Sequence, residues 1–283
     1  TPAPPAAGPT GLTAAVGNAT VLLNWNAVGG ATSYNVKRAT VAGGPYSPAG
    51  TSPTPTFTDN TVVNATTYYY VVSAIVGSET SNSNEASATP NTPAALGMVI
   101  SQLFGGGGNT GAPVQNDFIE VFNRGTQNVV VNGWSVQYAS GTGSTWTPTN
   151  LTGVIPAGRY FLVQEAAGNS CAGLPCGVVL PTPDASGAIA MAGTAGKVVL
   201  VSQTAALSGT CPSSVNIADL VGYGTTANCN ETANAPAPSN TTGDLPGNRG
   251  CTDTNNNSTD FAAVAPNPRN SATPQNSCGF VAF

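Results

Sequence analysis

The chain has 283 residues, including 34 Gly and 23 Pro, with only 7% charged side chains, a formal net charge of −5 and no histidine. The missing histidine excludes Ser-His-Asp and Cys-His catalysis and the common catalytic zinc sites, and the acidic balance argues against a nucleic-acid partner. Hydrophobic residues make up 40% of the chain, enough for a core, and no apolar run approaches the roughly 18 residues of a membrane span.

In chain order, residues 1–8 are rich in Pro and Ala and are expected to form an extended, stiff arm. Thr20 to Trp25 reads as a strand with Val21, Leu23 and Trp25 on one face. Ser33 to Arg38 alternates, with Tyr34 and Val36 inward. Thr67 to Ala74 places Tyr68, Tyr70, Val72 and Ala74 on a shared face. Turn-rich segments separate these runs and helical periodicity is nearly absent, which is the pattern of an all-β sandwich.

The segments Pro9-Thr10-Gly11-Leu12-Thr13-Ala14, Leu23-Asn24-Trp25, Gly30 to Val36, Thr67 to Ala74 and Ser83 to Pro90 together resemble a bacterial fibronectin type III domain. The resemblance covers residues 9–90 and implies that Tyr68 is a corner tyrosine, with its hydroxyl bonded to nearby backbone. No Arg-Gly-Asp occurs, so an integrin-type role has no support.

Residues 91–95 form a linker, and a second unit spans 96–283. Its strand candidates are Met98 to Phe104, Asn116 to Asn123, Val129 to Tyr138, Arg159 to Val163, Lys197 to Val201 and Ala218 to Tyr223. Together with Ile155-Pro156-Ala157-Gly158, Gly250 to Asn257, Asp260-Phe261 and Pro268-Arg269-Asn270, they resemble a lamin-tail domain of secreted bacterial type. The resemblance implies a second immunoglobulin-like sandwich. The insertions around Cys171 and Cys176 and over 224–255 depart from its compact pattern. The expected architecture is thus two immunoglobulin-like β-sandwiches in tandem, the second with long disulfide-stapled loops.

All six cysteines follow residue 170. An even count in a loop-rich chain points to disulfides and an oxidising compartment. Sequential pairing is expected among the many connectivities: Cys171 with Cys176, Cys211 with Cys229, Cys251 with Cys278. A zinc site is the rival reading, and no Cys-x-x-Cys supports it. Asn-x-Ser/Thr triplets make Asn18, Asn64, Asn150, Asn230, Asn240, Asn256 and Asn257 candidate glycosylation acceptors.

Four further groups invite chemistry. Gly105 to Gly108 lacks the Gly-Lys-Ser/Thr of a phosphate loop and reads as a β-connection. Asp117 and Glu120 sit at odd spacing on one strand, so they face opposite ways and cannot flank one glycosidic bond by themselves; a structural hydrogen bond is the plainer role for Glu120. Asp253, Asn255, Asn257 and Asp260 offer oxygens for calcium, with Asx turns as the alternative. Tyr34, Tyr69, Trp134 and Tyr138 read as strand aromatics, whereas Trp146, in a turn-like setting, is the candidate for an exposed sugar contact.

The leading expectation is a non-catalytic, secreted bacterial surface or structural protein, self-assembling into a fibre through its chain ends or mediating adhesion. Its motive is the low charge and the terminus Ser277 to Phe283, which ends in apolar residues and could form a last strand of its own fold or add to a neighbour's sheet edge. The alternative is an accessory module excised from a larger secreted enzyme, binding polysaccharide or another extracellular polymer. A carboxylate hydrolase using Asp117 and Glu120 is the third reading. No cofactor beyond calcium is expected.

Overall fold

The computed structural model describes residues 7–278. Most of the N-terminal arm and the apolar terminus lie outside the described residues, and with them the expectation of assembly through the chain ends. The chain divides into two units: Thr1–Thr92 with Asn128–Val130, and Pro93–Gln127 with Val131–Phe283. The structure is all-β apart from single turns of helix.

The first unit holds β1 (Thr13–Gly17), β2 (Thr20–Asn24), β3 (Ser33–Ala39), β4 (Ser47–Ser52), β5 (Thr56–Asp59), β6 (Tyr68–Val76), β7 (Ser78–Glu79) and β8 (Ala86–Ala88). β1, β2 and β5 form one antiparallel layer. β4, β3, β6 and β7 form the other, with β8 also on β6. Alternation drives the packing: Val21, Leu23 and Trp25 are buried together with Tyr34, Val36, Tyr70 and Val72. Trp25 meets Tyr34 edge-on at 5.2 Å, a geometry favoured by the ring quadrupoles. The Tyr68 hydroxyl accepts the Val63 N–H at 3.1 Å, the corner bond expected of it. Arg38 pairs with buried Asp59 at 2.6 Å, and the Tyr70 hydroxyl donates to the same carboxylate at 3.1 Å.

The second unit opens with β9 (Met98–Phe104) and β10 (Asn116–Asn123). After β11 (Val129–Val130), which groups with the first unit, come β12 (Trp134–Ser140), β13 (Thr147–Leu151), β14 (Val154–Ile155), β15 (Tyr160–Ala167) and β16 (Ala185–Ser186). β17 (Gly196–Val201), β18 (Ile217–Tyr223), β19 (Gly243–Pro246), α1 (Asn257–Asp260) and β20 (Phe261–Val264) complete it. Six strands make one sheet in the order β16-β15-β10-β9-β19-β20, and four make another, β13-β12-β17-β18. The run from Val129 to Tyr138 is two strands, because the chain turns at Gly133, which has φ 80°, a region glycine enters without strain.

Unlike an ordinary sandwich strand, β9 is buried along its whole length. The register explains it. Phe118, Glu120 and Phe122 share one face of β10, opposite Phe104, Gln102 and Val99 of β9 and Gln164, Leu162 and Tyr160 of β15. Loops cover that face at both ends. Ala112, Val114, Cys176 and Leu180 close over Phe104, Phe118 and Leu162. At the other end Cys251 and Cys278 pack on Val99, Phe122 and Tyr160. On the four-stranded sheet, Trp146, Leu207 and Cys229 cover Ala139, Val199 and Leu220. The disulfides are Cys171–Cys176, Cys211–Cys229 and Cys251–Cys278, the sequential pairing, and each contributes sulfur to one of these clusters.

Candidate functional site

The polar centre of the six-stranded sheet is Glu120. It is fully buried and receives Arg269 from the C-terminal loop, with Nη2 to Oε1 at 2.7 Å and Nε to Oε2 at 3.1 Å. The Arg269 backbone N–H adds a bond to Oε2 at 2.7 Å, and Ser101 Oγ donates to Oε1 at 2.5 Å. Burial pushes the Glu120 carboxyl up, against the pull of the Arg269 charge and of these hydrogen bonds. Beside it, Gln102 grips the backbone of Asn267, accepting its N–H at 2.7 Å and donating to its carbonyl at 2.9 Å. The Arg269 guanidinium lies 4.0 Å from the Tyr160 ring centroid. The Tyr160 hydroxyl donates to the Arg249 carbonyl at 2.9 Å and accepts from Arg269 Nη1 at 2.9 Å and Asn276 Nδ2 at 3.1 Å.

These contacts form the floor of a groove of 480 Å³, bordered by Tyr160, Pro246, Arg249, Asn267, Arg269 and Asn276. The volume lies within the range of small-ligand sites, roughly 300–1,000 Å³. No motif or spacing in the sequence marks Arg249, Asn267 or Asn276. Arg249 comes from a different loop than the two asparagines, and the one local signal among the three is that Arg249 belongs to a sequence with few cations.

Asp117 points away from Glu120. It accepts N–H bonds from Gly107 at 2.9 Å and Met191 at 2.8 Å, and burial raises its pKa to about 7. The two carboxylates therefore anchor opposite faces of β10. The glycine run is a close-packed connection: a Cβ on Gly107 would stand 1.9 Å from the Asn116 carbonyl carbon.

The calcium candidates have separate partners. Asp260 accepts from Thr254 N at 2.7 Å, Asn256 N at 3.2 Å and Thr254 Oγ1 at 2.7 Å. Asp253 accepts the Asn255 N–H at 3.1 Å and pairs with Arg124 at 2.6 Å. Asn257 turns inward: its Oδ1 accepts from Gly222 N at 3.0 Å, and its Nδ2 donates to the Leu220 carbonyl at 3.0 Å. Among the described residues no group of three or more acidic or cysteine side chains is arranged to hold a metal ion.

Two expectations are corrected. Trp146 is 2% exposed, with its indole N–H donated to the Gly209 carbonyl at 2.9 Å; the loop over 202–216 folds across it, so it offers no sugar face. Asn257 is 1% exposed with its amide engaged, so it cannot accept a glycan in the folded chain. Asn150 and Asn240 are exposed, and Asn18, Asn64, Asn230 and Asn256 are partly so. Asn64 donates to Asn18 Oδ1 at 2.8 Å.

Beneath Trp146 lies a fully buried lysine. Lys197 Nζ donates to the carbonyls of Gly143 and Thr210, both at 2.7 Å, and to Asn228 Oδ1 at 2.8 Å. Burial lowers its pKa. Burial also raises Glu165, Asp219 and Asp244 to about 7 each. Asp244 is fully buried, and neither of its oxygens has a hydrogen-bond partner.

Fold and site define a pair of β-sandwich modules, the second armoured by stapled loops around a polar groove. Residues 91–225, just under half of the chain, match the model of the Lamin Tail Domain family. A crystal structure of a Fn3-like protein from Clostridium thermocellum is 48% identical over 31% of this chain and 97% of its own, with a TM-score of 0.29. An amylopullulanase of Thermoanaerobacterium saccharolyticum is 33% identical over 138 residues, covering 48% of this chain and 10% of that enzyme. One of Thermoanaerobacter thermohydrosulfuricus is 37% identical over 116 residues, covering 40% of this chain and 8% of that enzyme. The chain thus matches about a tenth or less of the length of these relatives. Among the described residues no helix is long and apolar enough to cross a membrane.

Proposed function

We propose that the chain is a non-catalytic accessory module of a larger secreted enzyme and holds that enzyme to an extracellular polysaccharide. The observation that carries the reading is the match to amylopullulanases, in which the matching stretch is 10% or 8% of the whole. The disulfides support an oxidising, extracellular setting. The buried, fully bonded Glu120 supports a binding role over chemistry, because a general acid must reach its substrate. Retention of the full chain on immobilised polysaccharides tests it: binding to at least one polymer is expected, and passage through all of them would sink the reading.

One observation favours a surface or structural role, in an adhesive protein or a fibre. Leu174, inside the loop closed by Cys171–Cys176, and Val178 and Val179, just after it, are 68%, 67% and 69% exposed, an apolar set suited to a protein contact. Light scattering and electron microscopy distinguish this reading, which requires concentration-dependent assembly.

A further inference from the structure

We propose that the groove at Arg249 and Asn267 is a subsite for an acidic saccharide, the guanidinium of Arg249 holding the sugar carboxylate and the Asn267 amide a neighbouring hydroxyl. The proposal rests on the polysaccharide reading above and narrows it to one place and one ligand chemistry.

Cation use singles out Arg249. The chain has seven Lys and Arg residues. Lys37, Arg38, Arg124 and Arg269 make ion pairs. Lys197 is buried on three acceptors, and Arg159 Nη1 donates to the Thr273 carbonyl at 2.6 Å. Arg249 is exposed on the groove wall, and among the described residues its guanidinium makes no hydrogen bond or ion pair.

The backbone sets that side chain outward. Asn248 and Arg249 both occupy the left-handed region, at φ 52° and 58°, which turns the Arg249 carbonyl down onto the Tyr160 hydroxyl. Glycine would hold this backbone without strain, so the turn itself does not call for arginine. Non-glycine residues held at positive φ concentrate at ligand sites.

The rest of the groove matches a sugar ring. Pro246, Pro268 and Pro274 give it rigid apolar walls. Gln102 fixes the Asn267 backbone from both sides, and the exposed Asn267 amide has no partner among the described residues. An amide offers both donor and acceptor, as a hydroxyl requires. A guanidinium offers the planar fork that matches a carboxylate in two parallel bonds. The net charge of −5 does not oppose this, since screening over about 8–10 Å leaves local charges in control. Nearby, Glu120 is neutralised by Arg269, and Asp184 is occupied by Ser271 and the Leu162 N–H.

Calorimetry on the full, disulfide-intact chain tests the proposal, with an oligogalacturonate and its neutral methyl ester of equal length as probes. The acid is expected to bind, and esterification to weaken it by about tenfold, the worth of one charge-assisted contact. Arg249→Gln should weaken the acid by about tenfold and leave the ester unchanged. Asn267→Ala, which leaves the turn untouched, should weaken both. Equal binding of acid and ester, or wild-type affinity in both variants, would overturn the proposal. Retention of a neutral polysaccharide with no response to either variant would overturn it while leaving the polysaccharide reading standing; retention of no glycan at all would overturn both.

Discussion

Glu120 and Arg269 lie 149 positions apart and meet through three hydrogen bonds, two from the guanidinium and one from the backbone. This contact ties the C-terminal loop to the middle of the six-stranded sheet and sets the groove floor beside Tyr160. Since Glu120 is fully buried, its partner is essential to it. Arg269→Met should destabilise the second unit by about 3–5 kcal/mol, the usual cost of stranding one buried charge. The double variant Glu120→Leu with Arg269→Met should recover part of that loss. Urea unfolding of the three proteins checks both statements.

The two units should respond to pH in opposite directions. In the second, burial holds Asp117, Glu165 and Asp244 at about 7, above the unfolded value of about 4. Between those values the folded state binds protons that the unfolded state does not, so stability rises as pH falls from about 7 to about 4. In the first, the Lys37, Ser73 and Asn35 hydrogen bonds hold Glu79 at about 2. Asp59 is also held low: burial raises it, but Thr61 and Arg38 outweigh burial. Their contribution is present above the unfolded pKa and is lost as pH falls through the folded values. Hydrogen exchange followed separately in each unit should show protection growing in the second and shrinking in the first on acidification.

Asp244→Asn should raise stability at pH 8 and flatten the acid-side gain of the second unit. The carboxylate has no hydrogen-bond partner, so its ionisation in the core is uncompensated. Thermal unfolding at pH 5 and pH 8 reads the difference; an equal shift at both would point to packing instead.

The Cys211–Cys229 bridge spans 18 positions and holds the loop whose Thr210 carbonyl receives Lys197. Replacing both cysteines with Ala should cost about 3 kcal/mol from loop entropy, with a further loss as Lys197 gives up an acceptor. Denaturant unfolding of oxidised and variant chains measures it.

Trp146→Ala should destabilise the second unit by about 3–5 kcal/mol, as for other buried aromatics, and leave glycan affinity unchanged wherever the chain remains folded. Stability and binding measured on one sample separate the two effects.

Much of the fold was legible because strand patterning is local. Met98 to Phe104 and Asn116 to Asn123 carry β-branched and aromatic runs between Gly- and Asn-rich turns, and they form strands over those same residues. The single run from Val129 to Tyr138 hides a turn at Asn132-Gly133, since apolar residues continue on both sides of it. Trp146 looks exposed in the sequence because its neighbours Thr145 and Thr147 are surface-like, while the segment that buries it arrives from around Gly209. A different long-range contact, with Gly222, Leu220 and Glu231, removes Asn257 from the acceptors. The groove was invisible for a related reason: Tyr160, Arg249 and Asn267 become neighbours only after the C-terminal loop is pinned by Glu120, and no spacing records that.

The most direct test of a binding module without chemistry is to incubate the full chain with a soluble polysaccharide that it retains and follow both by size-exclusion chromatography. Comigration of protein and polymer, with the polymer undiminished in size, is the result this account predicts. A polymer shortened over time, or a protein that never comigrates with any polysaccharide, would contradict it.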